Sequence, residues 1–230
     1  MNQKNAAHGG TAIKTKAKVF VVDDHPVVRQ GLAQLINQEL DLKVCGEAQT
    51  VQDALKLIPP AKPDLVIIDL SLKGKSGIEL IKDLQVREPN LPLLVLSMLD
   101  ETFYAERVLR AGAKGYIMKE EAPESLLTAI RRVLGGEVYL SDNMSSKMLR
   151  KFVAGRPETL GSPIDRLSDR ELEVFQAIGH GMKTSQIAED MHLSVKTIES
   201  YREHLKEKLA LGDAAELLQH AILWVKSQSG

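Results

Sequence analysis

A single cysteine, Cys45, stands among the 230 residues, so no internal disulfide can form and no metal site of the paired-cysteine kind is available. A reducing, cytoplasmic setting is expected. No apolar run approaches the roughly 18 residues of a membrane span. The N-terminal stretch carries Lys4, Lys14, Lys16 and Lys18 but no signal-peptide core, so no membrane partner is expected. An excess of one charge sign is missing too. Thirty basic side chains face 31 acidic ones, a net of −1, which offers no global attraction to nucleic acid or anionic lipid, and any DNA binding must come from a local surface. There is no internal repeat and no low-complexity tract. What remains is ordinary globular composition, 43% hydrophobic and 27% charged, at a length that suits two domains.

Residues 1–17 read as a loose tail. Short apolar runs then alternate with segments of helical period: Val19 to Val22, Val44 to Ala48, Leu65 to Asp69, Leu93 to Ser97 and Tyr116 to Met118, with helices starting near Pro26, Val51, Gly77, Glu101 and Ala122. Helices of crossover length between strands imply a parallel sheet covered on both faces, and the continuous run Leu65-Val66-Ile67-Ile68 suits a strand buried on both sides. The pattern marks out a domain over 18–138. Residues 139–165, with Pro157, Pro163 and one short helix near Ser145 to Phe152, read as a linker. From 166 to 230 the period is helical throughout. Ser168 with Glu171 forms a capping box, and Asp213 with Glu216 offers the same caps to a last helix.

In an open parallel sheet the ligand site lies outside the carboxyl ends of the strands, where the strand order reverses. Asp23 and Asp24 end the first strand, Asp69 the third and Ser97 the fourth, while Lys119 follows the fifth. Clustered carboxylates repel one another unless a cation is present, and hard oxygen donors suit Mg²⁺. One carboxylate can then attack phosphorus, with a lysine and a hydroxyl holding the phosphoryl oxygens. Each residue alone is explained as readily by the polar, turn-forming character of strand ends; the joint set is not.

The series Val-Val-Asp-Asp-His-Pro, Ile-Ile-Asp-Leu, Val-Leu-Ser and Gly-Tyr-Ile-Met-Lys resembles the receiver domain of bacterial two-component response regulators. The resemblance implies a flavodoxin-like (βα)5 doubly wound sheet of order 2-1-3-4-5. It implies that Asp69 accepts a phosphoryl group from a sensor histidine kinase, and that Asp23, Asp24, Asp69 and the Ser71 backbone carbonyl hold Mg²⁺. Ser97 and Lys119 would bind the phosphoryl group, and Tyr116 would be the aromatic that swings inward as the loop after Ser97 closes. Glu120 stands where many receivers have proline.

Two rival chemistries fit less well. Gly74-Lys75-Ser76 looks like the end of a nucleotide-binding loop, but the glycine needed five residues earlier is replaced by Asp69; Gly74 and Gly77 read better as a turn. A turnover phosphatase with an aspartate nucleophile usually has a second Asp two residues on, where this chain has Ser71. Autodephosphorylation is the only hydrolysis expected, so the chain does not read as an enzyme.

Residues 167–226, with Leu-Ser-Asp-Arg-Glu-Leu-Glu-Val-Phe and Ile-Ala-Glu-Asp-Met-His-Leu-Ser-Val-Lys-Thr-Ile-Glu-Ser-Tyr, resemble a LuxR-type helix-turn-helix, and with the receiver in front the chain resembles a NarL/FixJ-type regulator. Periodicity supports a small bundle with Leu172, Phe175 and Ile178 on one face, Ile187, Ala188 and Met191 on another, and Ile198, Tyr201, Leu205 and Leu209 on a third. The helix from Val195 to Leu209 would enter the major groove of double-stranded DNA, with Lys196, Thr197, Glu199, Ser200, Arg202, Glu203 and Lys206 as its contact residues. A solvated, salt-bridged face is the plainer reading of the same alternation.

Between Arg166 and Lys226 eight basic residues meet ten acidic ones, a net of −2. Thr184-Ser185-Gln186 stands where the family often has Asn-Lys-Glu. Affinity would therefore rely on a homodimer formed on phosphorylation, for which the apolar last helix, with Leu217, Leu218, Ala221, Ile222 and Val225, is one candidate contact; covering the recognition helix is its other explanation. Its histidines, His180, His192, His204 and His220, form no ligand-like cluster in sequence. The expectation is a phosphorylation-dependent transcriptional regulator whose unmodified receiver covers the recognition helix or prevents dimerisation. The alternative is a receiver-controlled protein-interaction module that does not bind DNA.

Overall fold

The computed structural model describes residues 15–72, 76–121, 123–153 and 163–228. Most of the expected tail, the Gly74 and Lys75 of the rejected nucleotide loop, and residues 154–162 of the expected linker lie outside them.

Five parallel strands, β1 (Ala17–Val22), β2 (Leu42–Ala48), β3 (Leu65–Ile68), β4 (Leu93–Ser97) and β5 (Gly115–Met118), form one sheet in the order β2-β1-β3-β4-β5. This is the flavodoxin-like order expected. Helices α1 (Pro26–Gln38) and α5 (Pro123–Leu134) cover one face, where Ile36 and Ile130 close over Val19, Val21, Ile67 and Ile117. Helices α2 (Val51–Ala61), α3 (Gly77–Arg87) and α4 (Glu101–Ala111) cover the other, over Phe20, Val22, Val66, Ile68 and Val95. The apolar runs are continuous because both faces of these strands are buried.

Local chemistry places the helix starts. Pro26 occupies the first turn of α1, while Thr50, Ser76 and Asp100 each accept a backbone N–H at the start of α2, α3 and α4. Gly77 has a different reason for being there. A Cβ at that position would lie 2.2 Å from the Asp69 carbonyl oxygen, so only glycine lets α3 begin directly against the loop after β3.

Past residue 138 the chain still belongs to the sheet edge, since the Tyr116 N–H donates to the Tyr139 carbonyl at 2.9 Å and the Tyr139 N–H to that of Lys114. The helix expected near Ser145 is longer, α6 (Asp142–Val153). It is fixed by buried Glu101, which accepts from both the N–H and hydroxyl of Ser141, and by Met144 in the sheet domain's core.

A short 3-10 turn (Pro163–Arg166) leads into α7 (Asp169–Gly179), α8 (Thr184–Asp190), α9 (Val195–Leu209) and α10 (Ala214–Gln228). The Ser168–Glu171 capping box forms at α7, and Asp213 caps α10 through the N–H groups of Ala215 and Glu216. Leu172, Phe175, Ile178, Ile187, Ala188, Ile198, Leu205 and Leu209 are all buried, and Met191 and Tyr201 pack against them half-buried.

Candidate functional site

The β1–β3 pairing brings Asp23 and Asp69 side by side past the ends of neighbouring strands, where the Asp69 N–H donates to the Val22 carbonyl at 2.8 Å. Asp23, Asp24 and Asp69 are 2%, 4% and 2% exposed, too buried to be ordinary loop carboxylates. With His25 they offer ligand atoms that all lie within 4.8 Å of one another. Lys119 enters from the end of β5, its Nζ 2.7 Å from Asp69 Oδ2 and 2.6 Å from Asp23 Oδ2. Burial pushes the Asp69 carboxyl above its usual value against the pull of Lys119. Burial alone would lower Lys119, but Asp69 and Asp23 outweigh it and the ammonium holds its proton more tightly than usual.

Ser97 is fully buried at the end of β4, the strand next to β3, and its hydroxyl accepts from the Leu99 N–H. Ser71 follows in the loop after β3 and its N–H donates to Asp69 Oδ1 at 3.2 Å. Tyr116 already points inward: it is fully buried on β5, and its hydroxyl donates to the Leu99 carbonyl at 2.6 Å. Burial raises its phenol well above the ordinary value.

Two neighbours were not among the expected site residues, and the first, Arg29, carries no signal in periodicity or motif. Arg29 on α1 is 7% exposed and donates to the Asp23 carbonyl at 2.6 Å while facing Glu47, which fixes the loop that carries the paired aspartates. His25 stands 2.8 Å from Asp24 Oδ1. Its place in Asp-Asp-His-Pro could have suggested a part in the pocket.

Donor chemistry suits a hard divalent ion. Among the described residues, Asp23 Oδ2 and Asp24 Oδ1 are shielded from water and accept no well-aligned hydrogen bond, only ion-pair contacts, so oxygen charge in this pocket exceeds what the protein itself satisfies.

The helical domain leaves α9 open. Lys196, Glu199, Ser200 and Glu203 are exposed along one side, and Thr197, Arg202 and Lys206 are half-buried. Ser194 caps the helix through the Thr197 N–H, Ser200 Oγ donates to the Lys196 carbonyl, and Lys206 pairs with Glu203 at 2.8 Å. The sheet domain does not cover this surface, contrary to one branch of the expectation. It packs instead against α7, α10 and the turn between α8 and α9: Arg170 donates to the Leu72 carbonyl at 3.0 Å, Phe103 stacks on Trp224 with ring centroids 4.4 Å apart, and His192 reaches to 3.9 Å from Asp24 Oδ2. As for α10, Leu217, Ala221 and Val225 are buried, the helix packing more on α7 than on α9, while Leu218 and Leu223 remain 41% and 59% exposed.

Residues 19–131 match the family described as "Response regulator receiver domain", and residues 165–221 match "Bacterial regulatory proteins, luxR family". The oxygen regulatory protein NreC of Staphylococcus aureus is 35% identical over 209 residues, which span 89% of this chain and 96% of that one. The chain belongs to the two-component response regulators of the NarL/FixJ type. Among solved structures, the response regulator RcsB of Salmonella typhimurium superposes with a TM-score of 0.62 at 28% identity, over 90% of this chain and 97% of that one. RcsB of Salmonella enterica serovar Typhimurium bound to promoter rprA in the presence of phosphomimetic BeF3⁻ gives 0.58 at 28% identity, over 90% and 98%. As a response regulator with a LuxR-type domain, the chain is a DNA-binding transcription regulator. Among the described residues no helix is long and apolar enough to cross a membrane.

Proposed function

We propose that Asp69 is the phosphoryl acceptor of this regulator, with a sensor histidine kinase as donor, and that the modification controls DNA binding through α9. The observation that carries the reading is the convergence on Asp69 of buried Asp23 and Asp24 and of the Lys119 ammonium at 2.7 Å. Asp23, Asp24, Asp69 and the carbonyl of Ser71 would hold Mg²⁺, which when bound neutralises charge on the phosphoryl oxygens. An Asp69 carboxylate oxygen attacks phosphorus, the bond to the donor's imidazole nitrogen breaks, and the imidazole leaves with the electron pair. Lys119 offsets negative charge on one side, and the Ser97 hydroxyl, on the neighbouring strand, gives up its contact with Leu99 to bind a phosphoryl oxygen. Hydrolysis of the acyl phosphate is the only turnover.

The division keeps a receiver, a linker and a DNA-binding domain over 166–230, with the receiver's first strand starting at Ala17 and Tyr139 and α6 carried on the receiver, α6 through Glu101 and Met144. On α9, Lys196 and Arg202 suit phosphates and Glu199, Ser200 and Glu203 suit base edges, with Thr197 and Lys206 flanking them. The exposure of Lys196, Glu199, Ser200 and Glu203 supports that use. A net charge of −2 over Arg166 to Lys226 means that two modules must act together, so the phosphorylated form is a homodimer.

Acetyl phosphate with Mg²⁺ should place one labile phosphoryl group on the unsubstituted chain and none on Asp69→Asn. Labelling that survives the substitution would refute the assignment. Omitting Mg²⁺, or adding a chelator, should abolish labelling as well.

A further inference from the structure

We propose that Arg29 is a positioning residue for the divalent cation of the acidic pocket: by pinning the Asp23 carbonyl it holds Asp23 and Asp24 ready for the ion, and so sets the ion's affinity. This rests on the reading of the pocket as a Mg²⁺ site. The turn that carries the two aspartates joins β1 to α1, and the helix does little to hold it. Where α2, α3 and α4 each begin on a side-chain cap, His25 at the start of α1 makes none, no acidic residue stands in the first turn, and Pro26 has no N–H to donate. Support comes from Arg29. Its guanidinium, buried one turn into α1, reaches back to donate to the Asp23 carbonyl at 2.6 Å, while its Nε lies 3.4 Å from Glu47 on β2. The turn is thereby clamped to the neighbouring strand, to which the Asp23 N–H also donates, at the Ala48 carbonyl.

The pinned carbonyl belongs to the planar peptide between Asp23 and Asp24, so its direction fixes where both side chains leave the backbone. Both carboxylates are buried beside Asp69. Like charges held out of water relax by swinging one carboxylate outward, and an ion that binds afterwards has to draw it back. A clamped turn has met that cost in folding. Contacts that orient a metal's ligands from behind are worth about 10- to 100-fold in affinity. The guanidinium also acts in the opposite sense, since one cation repels another, and Glu47 offsets that charge. The sign of the effect therefore separates positioning from repulsion. Among the described residues Arg29 makes no polar contact with Asp69, Ser97 or Lys119, so its influence falls on the ion rather than on phosphoryl transfer.

Mn²⁺, which suits the same oxygen donors, is the probe. The electron paramagnetic resonance signal of the free ion is titrated with the full unsubstituted chain, with Arg29→Met and with Arg29→Lys. Arg29→Met, similar in reach but without charge or donors, should bind Mn²⁺ about 10- to 100-fold more weakly. Arg29→Lys keeps the charge but cannot hold the carbonyl and Glu47 together, and should weaken binding by less. In acetyl phosphate labelling, the half-saturating Mg²⁺ concentration should rise in step with the loss of Mn²⁺ affinity, while the rate at saturating Mg²⁺ falls far less. Equal or tighter Mn²⁺ binding by either variant would overturn the inference, leaving charge repulsion or a merely structural role. So would a saturating rate that falls as far as the affinity. Should Arg29→Met fail to fold, Arg29→Lys carries the test alone. An unsubstituted chain that binds no Mn²⁺ sinks the Mg²⁺ reading itself, and this inference with it.

Discussion

Lys119 spans two carboxylates that would otherwise face one another across the pocket, touching both Asp23 and Asp69 within 2.7 Å. Replacing it by alanine removes a charge-assisted contact of about 1.5–3 kcal/mol, so labelling of Asp69 by acetyl phosphate should slow by roughly 10- to 150-fold. Rapid-quench labelling at saturating Mg²⁺ measures this. Glycine supplies a second test at single-residue resolution. Gly77→Ala drives a methyl group into the Asp69 carbonyl, 2.2 Å away, and should cost about 1–3 kcal/mol and reduce labelling. Gly31, inside α1 with open space where a methyl group would stand, should by contrast gain about 0.5–1 kcal/mol as alanine. Thermal melts of the two variants should therefore move in opposite directions. The pocket residues were legible because strand ends carry them in order along the chain. Arg29 was not, because a side chain that meets its partner carbonyl through tertiary packing leaves no periodic trace.

Helices and strands began where the chemistry of the sequence put them, at Pro26, Val51, Gly77, Glu101 and Leu65 among others, because caps, prolines and apolar runs are local signals. Helix α7 shows where that fails. Arg170, Glu171, Glu173 and Gln176 look like the solvated face of an amphipathic helix, yet all four are buried, because α7 is covered by its own bundle on one side and by the sheet domain on the other. Ion pairing between Arg170 and Glu173 makes that burial tolerable. Helix α9 is the counterpart, with Lys196, Glu199 and Glu203 in solvent as expected and Arg202 and Lys206 half-buried. Lys196→Ala on that open face should weaken binding to all DNA sequences about equally and lower the salt slope of log K by about 1. Fluorescence anisotropy at several salt concentrations, with the phosphorylated chain, reads both effects.

Among the described residues the buried apolar side chains of the two domains join in one cluster, and polar ties and an aromatic contact add to it. On α4, Arg107 donates to the Leu167 carbonyl at 2.8 Å and the Ile164 carbonyl at 3.0 Å, and Lys82 on α3 pairs with Asp169 at 3.1 Å. Trp224, the chain's one tryptophan, sits between Phe103 of the sheet domain and Phe175 of its own. Its emission therefore reports on docking, and Phe103→Ala should shift it to the red.

Protonation acts at the same junction. Burial, only partly offset by Arg170, raises Glu173 from 4.5 to about 7, with Asp169 adding to the rise and Ser76 opposing it; Tyr104 is a further neighbour. Undocking exposes Glu173 and returns it toward 4.5. Between those values the docked form holds a proton that the open form has lost. Docking is thus fully favoured below pH about 4.5 and weakens as pH rises toward about 7, by at most about 3 kcal/mol. Trp224 emission should move to the red across that window, and Glu173→Gln should remove the dependence.

His192, on the helical domain, lies 3.9 Å from Asp24 at the mouth of the acidic pocket. A small donor such as acetyl phosphate has one imidazole to pass, whereas a donor of protein size meets the C-terminal bundle first. Loosening the docked bundle should therefore speed labelling by a protein donor more than labelling by acetyl phosphate, which a comparison of the two donors on Phe103→Ala measures.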